Sequence, residues 1–250
     1  MDALEALAIV GAGVGAGAIN TVVGSGTLIT FPVLIALDYS PLVANVSNNL
    51  GLVPGSVSGV IGYRRELEGQ RSRILHLGVY SVTGALGGAA LLLTLPSSAF
   101  DAIVPILIAL ALLLVIVQPR LERALAHRRR HHGAERNPAL RAAVGATGVY
   151  GGYFGAAQGI ILISILGVAI EDHLQRLNGL KNVLAGLVNL TAGIVFAIVA
   201  DVDWAVAGLI AAGSIVGAAL GARYGRRLSP TALRVVIVVV GTVAIVRLTV

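Results

Sequence analysis

Between Leu4 and Leu37 the chain carries an apolar run of membrane length, interrupted by Gly24-Ser25-Gly26 and resumed at Thr27. Inside hydrocarbon such a break exposes backbone N–H groups at the start of the following helix. Those groups must find a partner, so irregular backbone survives only where it is packed in protein or lines a polar cavity. The same feature returns as GAAQGIILIS, residues 155–164, with Gly159 in the place of Gly26. Two broken helices in matching places are the arrangement that lets a transporter core hold an anion.

Composition agrees with a bilayer setting. The chain is 56% hydrophobic and 12% charged, about half the charged share of a soluble domain. Several runs of about 20 apolar residues are each long enough to cross a hydrocarbon core of about 30 Å. The expected class is an all-α polytopic membrane protein. The sequence has no cysteine, which excludes disulfides, thiolate metal sites and Cys nucleophiles. The net charge of +6 comes from Arg residues in short loops between apolar runs, a topology signal rather than a nucleic-acid face. Met1-Asp2-Ala3-Leu4-Glu5 lacks the positive region of a cleaved signal peptide.

The second half repeats the first. Gly26 and Gly159, Asn45 and Asn178, Asn49 and Asn182, Ser81 and Ser214, Gly84 and Gly217, and Gly88 and Gly221 are all 133 positions apart (159 − 26 = 178 − 45 = 214 − 81 = 133). Glycine matches come easily in a chain with 32 of them; two Asn pairs and a Ser pair at one gapless offset do not. The expected organisation is a first repeat over 1–118 (hairpin 4–37, spans 41–63, 74–95 and 98–118), a basic cytoplasmic linker over 119–141, and a second repeat over 142–250 (hairpin 142–170, spans 177–200, 204–222 and 231–249). Basic loops at 63–73, 119–141 and 223–228 belong in the cytoplasm, and the turns at Asp38, 95–101 and 201–203, which carry no basic residue, belong outside. Segment 142–170 then begins and ends on one side, so it is read as two half-helices of about 20 Å each, turning at Ala157-Gln158-Gly159. Each half becomes one re-entrant hairpin plus three spans, and the halves are inverted relative to one another.

The candidate ligand-binding residues follow from that arrangement. Gly24, Ser25, Gly26 and Thr27 at one tip, with Gln158 and Gly159 at the other, would present two positive helix N-termini and neutral donors. Asn45 and Asn49 share a helix face, as do Asn178 and Asn182, and lipid exposure would be costly for all four. Asn48 and Asn189 add further amides, with interhelical glue as the plainer role. Lys181, the only lysine, stands where the first repeat has Asn48. It is read either as a substrate contact or as a side chain snorkelling to water or pairing with Glu171 or Asp172. Gly11, Gly13, Gly15, Gly17 and the 84/88 and 217/221 pairs read as close helix packing. His76 reads as interfacial, and the Arg and His cluster around residue 130 as a solvated segment touching anionic lipid. The Gly11–Ala16 stretch fits G-x-G-x-x-A but lacks the strand and soluble βαβ setting of a dinucleotide site. No P-loop and no hydrolytic constellation is present, so neither enzyme chemistry nor a cofactor is expected.

The Gly-rich opening over Gly11–Gly26, the broken helix leading to Phe31-Pro32, the Pro41–Asn49 stretch and the second copy over Gly145–Asn182 resemble the TauE/SafE family of membrane exporters. The resemblance covers nearly the whole chain. It implies a multi-pass protein of the inner (plasma) membrane that moves a small anion outward, sulfite or an organosulfonate. The physical reading agrees in sign, since no carboxylate lies deep in a span. Alternating access at a midplane site between the repeats is the expected mechanism, with an anion or small-solute channel as the alternative and a scaffold without transport as a third reading. The partners implied are a small anion and membrane lipid, without nucleic acid; the many small-residue faces would permit a homodimer.

Overall fold

The computed structural model describes residues 1–126, 137–225 and 230–249. Ten helices appear among them, with no strand: α1 (Ala3–Val22), α2 (Thr27–Ala36), α3 (Pro41–Gly62), α4 (Arg71–Thr94), α5 (Ser97–Ala126), α6 (Pro138–Tyr153), α7 (Gln158–Ala169), α8 (Leu174–Val199), α9 (Trp204–Tyr224) and α10 (Pro230–Thr249). The Arg128–His132 cluster, Arg226 and Arg227 lie outside the described residues.

Local sequence explains the helix starts. Asp2 and Glu5 form a reciprocal capping box on α1, with Glu5 N–H donating to Asp2 Oδ1 and Asp2 N–H to Glu5 Oε2. Asn137 caps α6 through Ala139 N–H, and Asp203 caps α9 through Val206 N–H. Pro41 opens α3 at a position where a missing N–H costs nothing. The last three helices of each half start with one spacing: 174 − 41, 204 − 71 and 230 − 97 are all 133.

Five helices are long and apolar enough to cross a membrane among the described residues: α1, α4, the 97–120 part of α5, α8 and α9. Their outer faces carry large apolar side chains such as Val79, Leu86, Ile106, Leu113, Ile194 and Ile198, an outward surface suited to lipid. The arms of the expected hairpins are unequal. α1 has 20 residues and α2 has 10, so they measure about 30 Å and 15 Å, and α6 and α7 come to about 24 Å and 18 Å. α1 is therefore long enough to cross by itself and exceeds the expected half-helix.

Packing crosses between the two sequence halves. α1 lies along α9 and α2 against α10, while α6 lies along α4 and α7 against α5. Each hairpin thus packs on the last two helices of the other half. Glycine faces make this fit: the Cα atoms of Gly13 and Gly17 meet the backbone of Ile210 and Ser214, and those of Gly84 and Gly88 meet Gly145 and Val149. Gly217 and Gly221 close on Val14 and Ala18 in the same way, whereas a methyl group on Gly11 would meet nothing within 4 Å. Between the two mixed bundles stand α3 and α8, packed on one another, and α5 touches α10. A large apolar core draws residues from all ten helices, Val206, Ala207 and Ile210 of α9 among them, and a second one joins α4, α6, α7 and α8.

Candidate functional site

The two chain breaks meet. Gly24 adopts φ +90°, Gly155 +79° and Ala157 +59°, so both turns run through the left-handed region, which glycine enters without a steric penalty. Gly159 N–H donates to Gly24 O at 2.9 Å. A methyl group on Gly24 would lie 2.4 Å from Gly159 Cα, and one on Gly159 would lie 2.4 Å from Gly24 Cα. Only two glycines allow the backbones to approach this closely.

The tips differ in what they leave open. At the second, Gln158 N–H bonds Gly155 O, Gly159 N–H bonds Gly24 O and Ile160 N–H bonds Ala157 O. At the first, Leu28 and Ile29 N–H turn back to Ser25 O and Gly26 O, while no hydrogen bond reaches the N–H groups of Ser25, Gly26 and Thr27 among the described residues. Ser25 Oγ is buried there without a partner, its residue 1% exposed, and Gln158 Nε2 is likewise buried and unpartnered, its residue 3% exposed. Both helix N-termini were expected to offer free donors; the α7 end has used its own, because the Gly24 carbonyl reaches it first.

The Asn and Lys side chains engage the other ends of the broken helices. Asn178 Nδ2, Lys181 Nζ and Asn182 Nδ2 all donate to Thr21 O, at 3.3, 3.2 and 3.2 Å, and Lys181 Nζ also donates to Asn20 O at 3.2 Å. These carbonyls end α1, where four C=O groups lack intrahelical partners and the helix end is negative. Lys181, 1% exposed, neither snorkels nor meets an acidic partner; Asp172 instead pairs with Arg73 and Arg176. The three donors read as ligand contacts therefore hold α1, although a carbonyl with two lone pairs takes only two at a time. In the first repeat Asn45 Nδ2 donates to Tyr153 O at 2.9 Å, the end of α6. Asn48 turns instead to the hydroxyls of Thr27 and Thr30, and Asn49 leaves its Oδ1 buried without a partner. Asn189 Nδ2 reaches Ser56 Oγ at 3.4 Å, joining α8 to α3. Tyr63, whose hydroxyl accepts from Asn178, escaped sequence reasoning, as did the carbonyls of Asn20 and Thr21, which have no side-chain signature.

Near the start of α8, Arg73 and Arg176 hold Asp172, Gln70 Nε2 donates to Arg176 O, and Arg176 reaches Glu68 O at 2.9 Å. Burial raises the Asp172 carboxyl, but Arg73, the His173 N–H and Arg176 together outweigh it and keep the group below its ordinary range. His76 bonds Ser72 O on the exposed surface.

A family model described as "Sulfite exporter TauE/SafE" matches residues 9–248. The chain belongs to the TauE/SafE family. Among similar proteins, the "Probable membrane transporter protein YfcA" of Escherichia coli (strain K12) is 28% identical over 236 residues, covering 91% of this chain and 83% of that protein. A "Probable membrane transporter protein" of Haemophilus influenzae is 25% identical, with 88% and 85% covered. The "Probable membrane transporter protein ORF9" of Sinorhizobium sp is 27% identical, with 93% and 88% covered. No solved structure matches the chain significantly.

Proposed function

We propose that this TauE/SafE protein is a secondary transporter that exports a small oxyanion, sulfite or an organosulfonate, across the plasma membrane, with the anion held at the Gly24–Thr27 tip. One observation carries the reading: the Ser25, Gly26 and Thr27 N–H groups and the Ser25 hydroxyl lie together at the N-terminus of α2 with no hydrogen-bond partner among the described residues, in residues that are all buried. A helix N-terminus acts as about half a positive charge, and backbone N–H groups suit oxyanion oxygens. A broken helix would ordinarily oppose this, since the negative end of α1 lies beside the positive end of α2. Lys181, Asn178 and Asn182 cover the α1 carbonyls, so the α2 end dominates. Gln158 supplies a further amide donor. Gly159 fixes the tip through its bond to Gly24 O, and Asn45 on α3 reaches the end of α6 at the opposite tip, with Asn49 one turn further along α3, its Oδ1 near Gly193 of α8.

The equal spacing of the last three helix starts supports two repeats; we read the halves as inverted, each opening on a broken-helix pair, with α1 alone of the four arms long enough to cross. In alternating access the moving bodies are then the mixed bundles, α1-α2-α9-α10 against α4-α5-α6-α7 with α3 and α8 between them, rather than the sequence halves, because each hairpin is anchored on the other half's helices. An inside-negative membrane drives a monoanion outward by about 2.3 kcal/mol per 100 mV. The test is flux in proteoliposomes over sulfite, thiosulfate, taurine, sulfoacetate and simple carboxylates. Saturating uptake with counterflow for an oxyanion supports the carrier. Non-saturating conductance replaces it with a channel, and absence of both leaves a scaffold.

A further inference from the structure

The two tips match in backbone and differ in what covers their carbonyls. Val23 and Gly24 N–H both donate to Ile19 O, and Phe154 and Gly155 N–H both donate to Tyr150 O. This pairs Asn20 with Gly151 and Thr21 with Gly152 (151 − 20 = 152 − 21 = 131), and Gly24 with Gly155, both at positive φ. At the first tip the two carbonyls receive Lys181 Nζ and two amides. At the second, no hydrogen bond reaches the carbonyls of Gly151 and Gly152 among the described residues, although both residues are buried. The residue matched to Lys181 is Asn48 (181 − 133 = 48), and it is held by Thr27 and Thr30. The residue matched to Asn182 is Asn49 (182 − 133 = 49), 7% exposed, with Oδ1 buried and unpartnered. It lies one turn along α3 from Asn45, which reaches the neighbouring Tyr153 O.

We propose that a monovalent alkali cation of sodium type takes, at the second tip, the place that Lys181 Nζ takes at the first. Its ligands are Gly151 O, Gly152 O and Asn49 Oδ1, with the Gln158 amide, which lies against Gly151, closing the site. Half-helix C-termini and unwound carbonyls are the groups that coordinate sodium in transporter cores. The ligand set is neutral oxygen, and no group of three His, Cys, Asp or Glu gathers among the described residues. A divalent ion wants carboxylates, so the site fits a single charge. The cation would also offset the negative end of α6 beside a tip proposed to hold an anion. That coupling rests on the proposed function; the cation site itself does not.

The experiment is thermal unfolding of the purified full chain in nanodiscs, without added oxyanion, in sodium chloride against choline chloride at constant ionic strength. A saturable sodium-dependent rise in melting temperature is expected. Asn49→Leu should raise the half-saturating sodium concentration roughly tenfold or more, and Asn48→Lys, which restores an ammonium at the matched position, should make melting independent of sodium. Equal melting of the native sequence in sodium and choline overturns the proposal, as does a sodium response unaltered in Asn48→Lys; neither readout depends on Asn49→Leu folding. A sodium response with no oxyanion response would remove the transport reading and leave the cation site standing, and an oxyanion response without a sodium response would do the converse.

Discussion

Replacing Gly24 with alanine tests the meeting of the two tips directly. The new methyl would lie 2.4 Å from Gly159 Cα and 2.8 Å from Gly159 C, so the backbones must part by about 1 Å to reach ordinary contact. Gly159 N–H now donates to Gly24 O at 2.9 Å; a shift of that size breaks the bond and leaves both groups buried, costing about 1–3 kcal/mol. Holding alanine at φ +90° adds about 1–2 kcal/mol. The sum, about 2–5 kcal/mol, should lower the melting temperature by roughly 5–15 °C for a chain of this length. Gly159→Ala makes the same clash without positive φ and gains helix propensity of about 1 kcal/mol, so it should fall less. Gly11→Ala, where a methyl meets nothing within 4 Å, should melt at or above the parent. Differential scanning fluorimetry in one detergent compares all three. If Gly24→Ala melts with Gly11→Ala, the tips do not touch as described.

Other outcomes follow from the same geometry. Ser25→Ala removes a buried hydroxyl that bonds nothing, so stability should hold or rise slightly while oxyanion affinity in counterflow drops roughly tenfold; an unchanged affinity would move the anion away from this tip. Lys181→Met uncovers Asn20 O and should cost about 1–3 kcal/mol in unfolding assays. Lys181→Gln, which keeps amide donors, should recover much of that stability yet not the oxyanion response. The Asp172 carboxyl is depressed in the folded chain, so its contribution is present above the unfolded value of about 3.9 and is lost as pH falls through the lower folded value. Asp172→Asn should therefore lower stability at neutral pH and flatten the loss below about pH 4, as read from melting temperature against pH.

The chain breaks, the helices and most of their bounds were legible in the sequence. Glycine runs, prolines and membrane-length apolar stretches act locally, and helices run over Pro41–Gly62 and Trp204–Tyr224 where the sequence set apart 41–63 and 204–222, although of these two only α9 is among the helices apolar enough to cross a membrane. The polar residues near the tips were legible too, since amides and a lysine inside an apolar run must face the interior. Their assignments were not. Whether Lys181 meets a ligand, an acidic side chain or the end of α1 depends on which carbonyls lie within reach, and a carbonyl is the same at every residue. The exchange of hairpins between halves and the closed state of the α7 N-terminus were equally hidden. Both come from glycine faces meeting across more than 100 positions of chain (159 − 24 = 135), and a glycine in the sequence permits close approach without naming its partner.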